Sequence, residues 1–303
     1  MDLNTLRLPD VPADIPHGDM PGDRICITED HIKKAGIIFP RLLEKLSALP
    51  DRRKVIAVCG GSGVGKSEIA SVLAYYFNSA GTGAYVLSGD NYPRRIPRDN
   101  DLERLRVYRE GGLAGLREHD LISPEMNRKL KALWSEERDA DPASASEDPR
   151  MAVYQRAGRE ALTEYLGTPA EIDFAQLSDI LARFRQGCDE ICLRRMGRVP
   201  EELWYDKVGF SAVQVLIVEW THGNSNFLEG IDIPVLLNST PAETLAHRRA
   251  RNRDGRTDSA FTTLVLEIEQ MKLEAQARKA GIIVSKQGEL LSYADYRRLM
   301  AEA

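Results

Sequence analysis

An eight-residue stretch, Gly-Gly-Ser-Gly-Val-Gly-Lys-Ser at residues 60–67, fits the phosphate-binding pattern G-x-x-x-x-G-K-[ST] at every fixed position. The apolar, β-branched run at residues 55–59 precedes it and is typical of a buried strand. Residues 68–77 follow it and carry apolar side chains at helical spacing. The order of strand, glycine loop and helix predicts a loop that binds phosphate through backbone N–H groups and a helix N-terminus.

Each residue type in this loop has a physical role in binding a nucleoside triphosphate. The glycines let the backbone approach an anion closely, Lys66 is expected to reach the β and γ phosphates, and Ser67 is expected to hold Mg²⁺. A flexible Gly-Ser turn is the alternative, and the flanking strand and helix argue against it. The predicted nucleotide-binding residues are Gly61, Ser62, Gly63, Val64, Gly65, Lys66, Ser67 and Glu68.

Composition excludes several other classes of protein. The chain has 303 residues and a formal net charge of −5, which argues against a general nucleic-acid binder. No apolar run approaches the roughly 20 residues that span a bilayer, so we expect no membrane partner. The four cysteines are few and scattered, which predicts a cytoplasmic protein with reduced thiols. Cys188 and Cys192 are four residues apart and are expected to share a helix face.

Strand and helix patterns alternate on both sides of a long helical stretch, which predicts an α/β fold with a mostly parallel sheet. The predicted strands are 54–59, 84–88, 213–219, 233–238 and 281–285, and the predicted helices are 66–79, 241–253 and one from about 292.

The remaining segments are expected to be additions to this core. Residues 1–53 predict an irregular arm and a pair of helices interrupted at Pro40. Residues 101–210 predict a mostly helical insertion on the acceptor side. Within it, the polar, proline-containing stretch at 136–150 predicts an exposed loop.

Two carboxylates follow predicted strands. Asp90 comes directly after strand 84–88, at the edge of an open parallel sheet where ligands bind. There it could accept the proton of an attacking hydroxyl, while a simple turn residue is the alternative. Glu219 closes the apolar run 215–218, which is typical of an acid beside Mg²⁺ or its water. His222 follows it and is expected to be structural.

Arginines form the remaining candidate sites. Five of them lie between residues 248 and 256, on a helix end and the following loop, and guanidinium groups suit triphosphate oxygens. A second set follows Asp90 and mildly favours an anionic acceptor, while a surface role is an equal alternative for each member: Arg94, Arg95, Arg98, Arg104, Arg106 and Arg109. A third set, Arg194, Arg195 and Arg198, is a candidate lining for the acceptor pocket.

With these segments in view, the chain resembles the P-loop small-molecule kinases typified by uridine kinase, phosphoribulokinase and bacterial pantothenate kinase. The matching segments are GGSGVGKS, LSGDNY, VLIVEWTHG, NSTPAETLAHRRARNRDGR and AGIIVS. The resemblance implies a P-loop NTPase fold of three α/β/α layers. It also implies that Asp90 is the catalytic base, Glu219 a magnesium-side carboxylate, and Arg249, Arg251 and Arg253 arginines of a lid. Trp220 departs from the family, which has glycine after the glutamate.

We therefore predict an ATP- and Mg²⁺-dependent kinase acting on a hydroxyl group of a small metabolite. The expected acceptors are a nucleoside, a sugar or sugar phosphate, a polyol or a pantothenate-like acid. The predicted catalytic residues are Asp90, Lys66, Glu219, Arg249 and Arg253. Arg249 and Arg251 are expected to contact ATP, and Ser67, Glu219 and Asp90 to hold Mg²⁺.

The predicted domains are an extension at 1–53 and a kinase domain at 54–303 with a lid at about 247–258. A homodimer is one assembly that the sequence allows. A nucleotide-dependent regulatory ATPase or GTPase without an acceptor is the alternative function, although the guanine-reading Asn-Lys-x-Asp tetrapeptide does not occur. A nucleic-acid-dependent ATPase is a further alternative, and the net acidity counts against it.

Overall fold

A computed structural model describes residues 7–12, 14–240, 243–244 and 259–302. The strands are β1 Lys54–Gly60, β2 Ala84–Ser88, β3 Glu190–Met196, β4 Leu203–Gly209, β5 Val215–Glu219, β6 Ile233–Leu237, β7 Ile282–Val284 and β8 Leu290–Leu291. The helices are α1 Glu29–Ser47, α2 Lys66–Ser79, α3 Pro97–Glu118, α4 Pro124–Ser135, α5 Pro142–Glu147, α6 Pro149–Tyr165, α7 Phe174–Arg185, α8 Ala260–Gln276 and α9 Tyr293–Glu302.

The central element is a six-stranded sheet with the order β2-β5-β1-β6-β7-β8. The first five strands in this order are parallel, and β8 is antiparallel at one edge. Parallel pairing brings the carboxyl ends of β1, β2 and β5 to the same edge of the sheet. The predicted α/β fold with a mostly parallel sheet is confirmed.

Helices cover both faces of this sheet, as expected for buried parallel strands. On one face, Ile56 and Val58 of β1 belong to an apolar core that includes side chains of α1 and α2. On the other face, Cys59 packs with residues near the end of α8 and with Tyr296 of α9. The result is the predicted three-layer α/β/α arrangement. Among the helices that the structure describes, none has the length and apolar character that crossing a bilayer requires.

The described chain divides into two compact units. Unit 1 holds the sheet and comprises the described residues of Met1–Tyr92, Asp173–Thr244 and Lys272–Ala303. Unit 2 is helical and comprises those of Pro93–Ile172 and Leu245–Met271. The predicted insertion at 101–210 therefore corresponds only in part to unit 2, because residues 173–210 belong to unit 1. The division between residues 53 and 54 stays a prediction.

Unit 2 has its own core, centred on the packing of α3 against α6. A Cβ atom at Gly112 would come within 2.5 Å of the Tyr154 ring, and one at Gly158 within 2.7 Å of the Tyr108 carbonyl oxygen. The rings of Tyr108 and Tyr154 meet edge to face with centroids 5.7 Å apart. Small residues thus let these two helices approach closely and enclose the aromatic side chains.

The prediction of an exposed loop at 136–150 is wrong. The segment contains α5 and the start of α6, and Asp141 and Asp148 cap these helices by accepting from Ala143 N and Arg150 N. Pro142 and Pro149 occupy the first helical turn, where the missing N–H costs nothing. The two Asp-Pro pairs therefore begin helices instead of marking an irregular chain.

The helical pair predicted near the N-terminus is a single helix. α1 runs through Pro40 without a break. Its stripe of buried side chains, including Ile38, Phe39 and Leu42, continues across the proline. Burial of this stripe against the sheet core offsets the roughly 3 kcal/mol that an internal proline costs a helix.

A β-hairpin within the region expected to be helical was not predicted. β3 and β4 pair antiparallel, from Glu190 with Gly209 to Met196 with Leu203. Cys192 lies on β3 and Cys188 lies before it, so the expectation that they share a helix face is also wrong. Of the helix predicted at 241–253, only Glu243 and Thr244 lie among the described residues, where they are helical.

Candidate nucleotide-binding and catalytic site

The glycine loop links the end of β1 to the start of α2, as predicted. Gly63 and Gly65 have φ values of 78° and 95°, in the left-handed region that favours glycine. Gly65 is the residue before the first turn of α2. The loop therefore places the unpaired N–H groups of a helix N-terminus at the carboxyl edge of the sheet, where an anion can bind them.

Lys66 and Ser67 begin α2. The Lys66 Nζ atom donates to the Gly61 carbonyl oxygen at 3.1 Å, so the ammonium group folds back over the loop. The Ser67 carbonyl oxygen accepts from the Ser71 hydroxyl at 2.7 Å within the helix. Glu68 follows and is buried, as is Val64 in the loop. These positions place a cation and a hydroxyl together at the helix N-terminus.

Asp90 and Glu219 come from neighbouring strands. Ser88, the last residue of β2, pairs with Glu219, the last residue of β5. Asp90 lies two residues beyond Ser88 in a short 3₁₀ turn, Gly89–Asn91. Its side chain is exposed, whereas Glu219 is buried. The pairing register therefore brings the two predicted carboxylates to the same end of the sheet.

The electrostatic environment of Glu219 shows which groups surround it. The pKa of the Glu219 carboxyl is raised to about 7, and burial is the main cause; the charge of Lys66 opposes this rise, and those of Asp90, Asp23 and Glu68 add to it. Three carboxyl groups and one ammonium group thus lie within electrostatic range of Glu219. Sequence reasoning found Glu219 and three of these four groups and missed Asp23, which lies in the N-terminal arm and carries no motif.

These residues fit a nucleotide with a divalent cation. Hard cations such as Mg²⁺ bind oxygen donors, and the buried negative charge at Glu219 is the kind that a cation relieves. Among the described residues, no three His, Cys, Asp or Glu groups are arranged to hold a metal ion by themselves. Mg²⁺ usually takes one or two protein oxygens and completes its shell with phosphates and water.

Trp220, the departure from the family pattern, packs against the turn that carries Asp90. A Cβ atom at Gly89 would overlap the Trp220 indole, so only glycine fits there. The indole is buried and contacts His222 edge to face, with ring centroids 5.1 Å apart. Phe174 of α7 packs on the indole with centroids 5.3 Å apart. The tryptophan thus packs against Gly89 and supports the turn that carries Asp90.

The arginines after Asp90 bind groups within unit 2. Arg94 donates to the Pro169 carbonyl oxygen, and the other five pair with carboxylates: Arg95 with Glu103, Arg98 with Asp99, Arg104 with Glu171, Arg106 with Glu103 and Glu110, and Arg109 with Asp139. Because the charges of the five arginines paired with carboxylates are compensated locally, these five do not support the expected preference for an anionic acceptor.

The other predicted arginines differ in whether the structure describes them. Arg249, Arg251 and Arg253 lie outside the described residues, so their role in a lid stays a prediction. Arg195 is buried and forms ion pairs with Asp19 and Asp206 at 2.7 and 3.1 Å. It is therefore a structural residue of unit 1, not a side chain exposed to an acceptor.

Comparison with known proteins finds a relative with a substantial sequence match but no family model. No model of a known protein family matches the chain. Over 259 residues, 86% of its length, the chain is 39% identical to the bifunctional alpha-galactosidase/sucrose kinase AgaSK of Mediterraneibacter gnavus, and it spans only 23% of that relative. The relative is named as a kinase, which confirms the resemblance to small-molecule kinases predicted from the sequence.

Solved structures with lower similarity include two further proteins. One is a D-glycerate 3-kinase from Cryptococcus neoformans, with a TM-score of 0.48 and 11% identity, covering 88% of this chain and 98% of that one. The other is a possible uridine kinase from Bacillus stearothermophilus, with a TM-score of 0.45 and 13% identity, covering 82% of this chain and 96% of that one.

Proposed function

We propose that this chain is an ATP-dependent kinase that transfers the γ-phosphate to a hydroxyl group of a small sugar. The observation that carries the proposal is the meeting of the phosphate loop, Lys66, Asp90 and Glu219 at the carboxyl ends of three adjacent strands. A phosphate cradle alone fits any nucleotide-binding protein. An exposed carboxylate on the turn after β2, at the same edge of the sheet as the loop after β1, supplies the base that a hydroxyl acceptor needs.

Each residue has a definite role in this proposal. The N–H groups of residues 61–68 and the Lys66 ammonium bind the phosphates and stabilise the charge that develops during transfer. Asp90 orients the acceptor hydroxyl and takes its proton. Ser67, Glu219 and Asp90 are the residues that would hold Mg²⁺, which neutralises phosphate charge when bound. Arg249, Arg251 and Arg253 are proposed to close over the nucleotide and exclude water.

A neutral sugar is the acceptor we favour among the predicted classes. The relative that is 39% identical includes sucrose kinase in its name, and the shared region covers 86% of this chain. The five arginines of unit 2 that pair with carboxylates, such as Arg104 and Arg109, weaken the argument for an anionic acceptor. Sucrose is therefore the first acceptor to test, followed by its component monosaccharides.

The screen that tests this function measures ADP release with ATP, Mg²⁺ and single hydroxyl metabolites. The panel holds sucrose, glucose, fructose, D-glycerate, uridine and pantothenate. The proposal expects strong stimulation by a sugar and little by the anionic compounds. Steady ATP hydrolysis that no metabolite stimulates would favour the alternative, a regulatory ATPase without an acceptor.

Two broader features also belong to the proposal. We propose that the enzyme acts in the cytoplasm, and its cysteines, Cys26, Cys59, Cys188 and Cys192, are all free, as in a reducing compartment. A homodimer stays a prediction, which analytical ultracentrifugation tests.

A further inference from the structure

Asp19 lies in the arm before α1 and is enclosed by other elements of unit 1. Its side chain is only 8% exposed, although the arm forms no regular secondary structure here. The arm runs beside β2, the edge strand of the sheet, where a Cβ atom at Gly18 would contact Val86 at 3.3 Å. A buried carboxylate on an irregular arm is costly unless its oxygens are fully bonded.

Each of the two carboxylate oxygens of Asp19 accepts two hydrogen bonds. The Oδ1 atom accepts from the backbone N–H of Ser88 at 2.7 Å and from the side-chain amide of Asn91 at 3.2 Å. The Oδ2 atom accepts from the Tyr85 hydroxyl at 2.9 Å and from Arg195 at 2.7 Å. The carboxylate is thus held by β2, by the turn after it and by β3 of the hairpin.

The Oδ1 contacts lie on both sides of Asp90. Ser88 precedes the turn Gly89–Asn91, and Asn91 ends it. The Asn91 amide oxygen also accepts from the backbone N–H of Met196 at 2.9 Å, which ties the same turn to β3. The exposed Asp90 side chain therefore projects from a backbone segment that is fixed at its two ends through one buried carboxylate.

We infer that Asp19 is a positioning residue that holds the Asp90 turn in the geometry needed for proton transfer from the acceptor. This inference rests on the proposed function, in which Asp90 is the base. A base must lie within hydrogen-bond reach of the proton it takes, and a displacement of about 1 Å can cost about 100-fold in rate. The arm thereby becomes part of the catalytic apparatus without touching the substrate.

The test compares Asp19→Asn with Asp14→Asn in the full chain. An amide has one acceptor oxygen instead of two, so it cannot serve both Ser88 and Arg195. Asp14 is an exposed carboxylate of the same arm and provides the matched control. We expect Asp19→Asn to lower kcat about 10- to 100-fold with KM for ATP within twofold, and Asp14→Asn to match the wild type.

Hydrogen exchange measured by mass spectrometry supplies a readout that does not depend on activity. In Asp19→Asn, amides of residues 86–92 should exchange faster, while those of β6 keep their wild-type rates. Faster exchange spread equally over β1 and β6 would indicate general destabilisation and overturn the inference. A kcat within twofold of the wild type would overturn it as well.

The two readouts separate this inference from the proposed function. If the wild-type protein phosphorylates no acceptor, the proposed function is wrong. Hydrogen exchange still tests the inference in that case, because unchanged exchange at residues 86–92 in Asp19→Asn would show that Asp19 does not hold the turn. If Asp19→Asn does not fold, Tyr85→Phe removes one donor to the same carboxylate. It should raise exchange at 86–92 and lower kcat by a smaller factor, and wild-type behaviour in both would refute the role of Asp19.

Discussion

His31 of α1 lies against Gly65, the last glycine of the phosphate loop, so closely that a Cβ atom there would come within 2.7 Å of the His31 Nε2 atom. The histidine is fixed in turn, because its Nδ1 atom accepts from the backbone N–H of Thr28 at 3.2 Å in a capping arrangement at the start of α1. The added N-terminal helix therefore forms one wall of the loop that we propose binds ATP.

Substituting Gly65 with alanine should weaken ATP binding for two separate reasons. The φ of 95° is unfavourable for a residue with a Cβ atom, which costs about 1–2 kcal/mol, and the methyl group would collide with His31. We expect a rise in the Kd for ATP of about tenfold or more, measured by isothermal titration calorimetry.

The double variant Gly65→Ala/His31→Ala separates the two causes. It removes the collision but keeps the unfavourable dihedral angle, so its Kd should lie between those of the wild type and Gly65→Ala. Binding by Gly65→Ala within twofold of the wild type would show that the loop does not contact the nucleotide as proposed.

Asp90→Asn should abolish phosphoryl transfer while leaving nucleotide binding intact. The amide keeps the size of the side chain but cannot accept a proton, and loss of a general base costs about 10²- to 10⁴-fold in rate. The Kd for ATP measured without Mg²⁺ should stay within about twofold, because the phosphates are bound by the loop after β1 and not by the turn after β2. Normal turnover by this variant would mean that another group is the base.

Asp148 should stabilise unit 2 through both its charge and its capping of α6. Its carboxylate accepts from the backbone N–H of Arg150 and pairs with Lys129 at 3.0 Å. Asp148→Ala should lower the free energy of unfolding by about 1 kcal/mol, whereas Asp148→Asn keeps the cap and loses only the charge. Urea denaturation of the three proteins measures these differences.

The effect of Asp148 should also depend on pH. The hydrogen bond from Arg150, aided by that from Lys129, lowers the pKa of the Asp148 carboxyl below its usual range. A lowered pKa contributes stability above the unfolded value of about 3.9, and this contribution is lost as the pH falls towards the folded value. The difference in the free energy of unfolding between wild type and Asp148→Asn should therefore become smaller below about pH 4. A difference that becomes larger there would contradict the ion pair.

The four thiols should differ sharply in reactivity. Burial raises the pKa of the Cys59 thiol to about 12, and its Sγ atom lies 3.3 Å from the Val235 carbonyl oxygen. Cys26 and Cys192 are exposed. At pH 8, iodoacetamide should label Cys26 and Cys192 in the native protein and Cys59 only after unfolding, as read by peptide mass spectrometry. Labelling of native Cys59 as fast as Cys26 would show that β1 is not buried as described.

The part of the candidate site around the phosphate loop was predictable because its sequence patterns are local. The spacing of Gly60–Ser67 and the apolar runs before Asp90 and Glu219 each depend on a few consecutive residues. Strand ends in a parallel sheet meet at one edge, so short-range patterns were enough to bring Lys66, Asp90 and Glu219 together.

The parts that were not predicted depend on contacts between distant residues. Asp19 has no motif, and its proposed role is inferred only from hydrogen bonds to Ser88, Asn91 and Arg195, which are far away in sequence. At Pro40 and Pro149 the predictions were wrong because a general rule, that proline breaks helices, was applied. Packing of α1 overrides the rule at Pro40, and the position in the first turn of α6 overrides it at Pro149. The Asp-Pro pairs at 141–142 and 148–149 held a usable signal for helix starts.

Product analysis decides whether the protein transfers phosphate from ATP to a sugar hydroxyl. Wild-type protein is incubated with ATP, Mg²⁺ and sucrose, and the products are identified by ³¹P NMR and mass spectrometry. We expect a sugar monophosphate and ADP in equal amounts, with neither formed by Asp90→Asn. ADP accompanied only by inorganic phosphate, with sucrose and every other sugar of the panel unmodified, would contradict it.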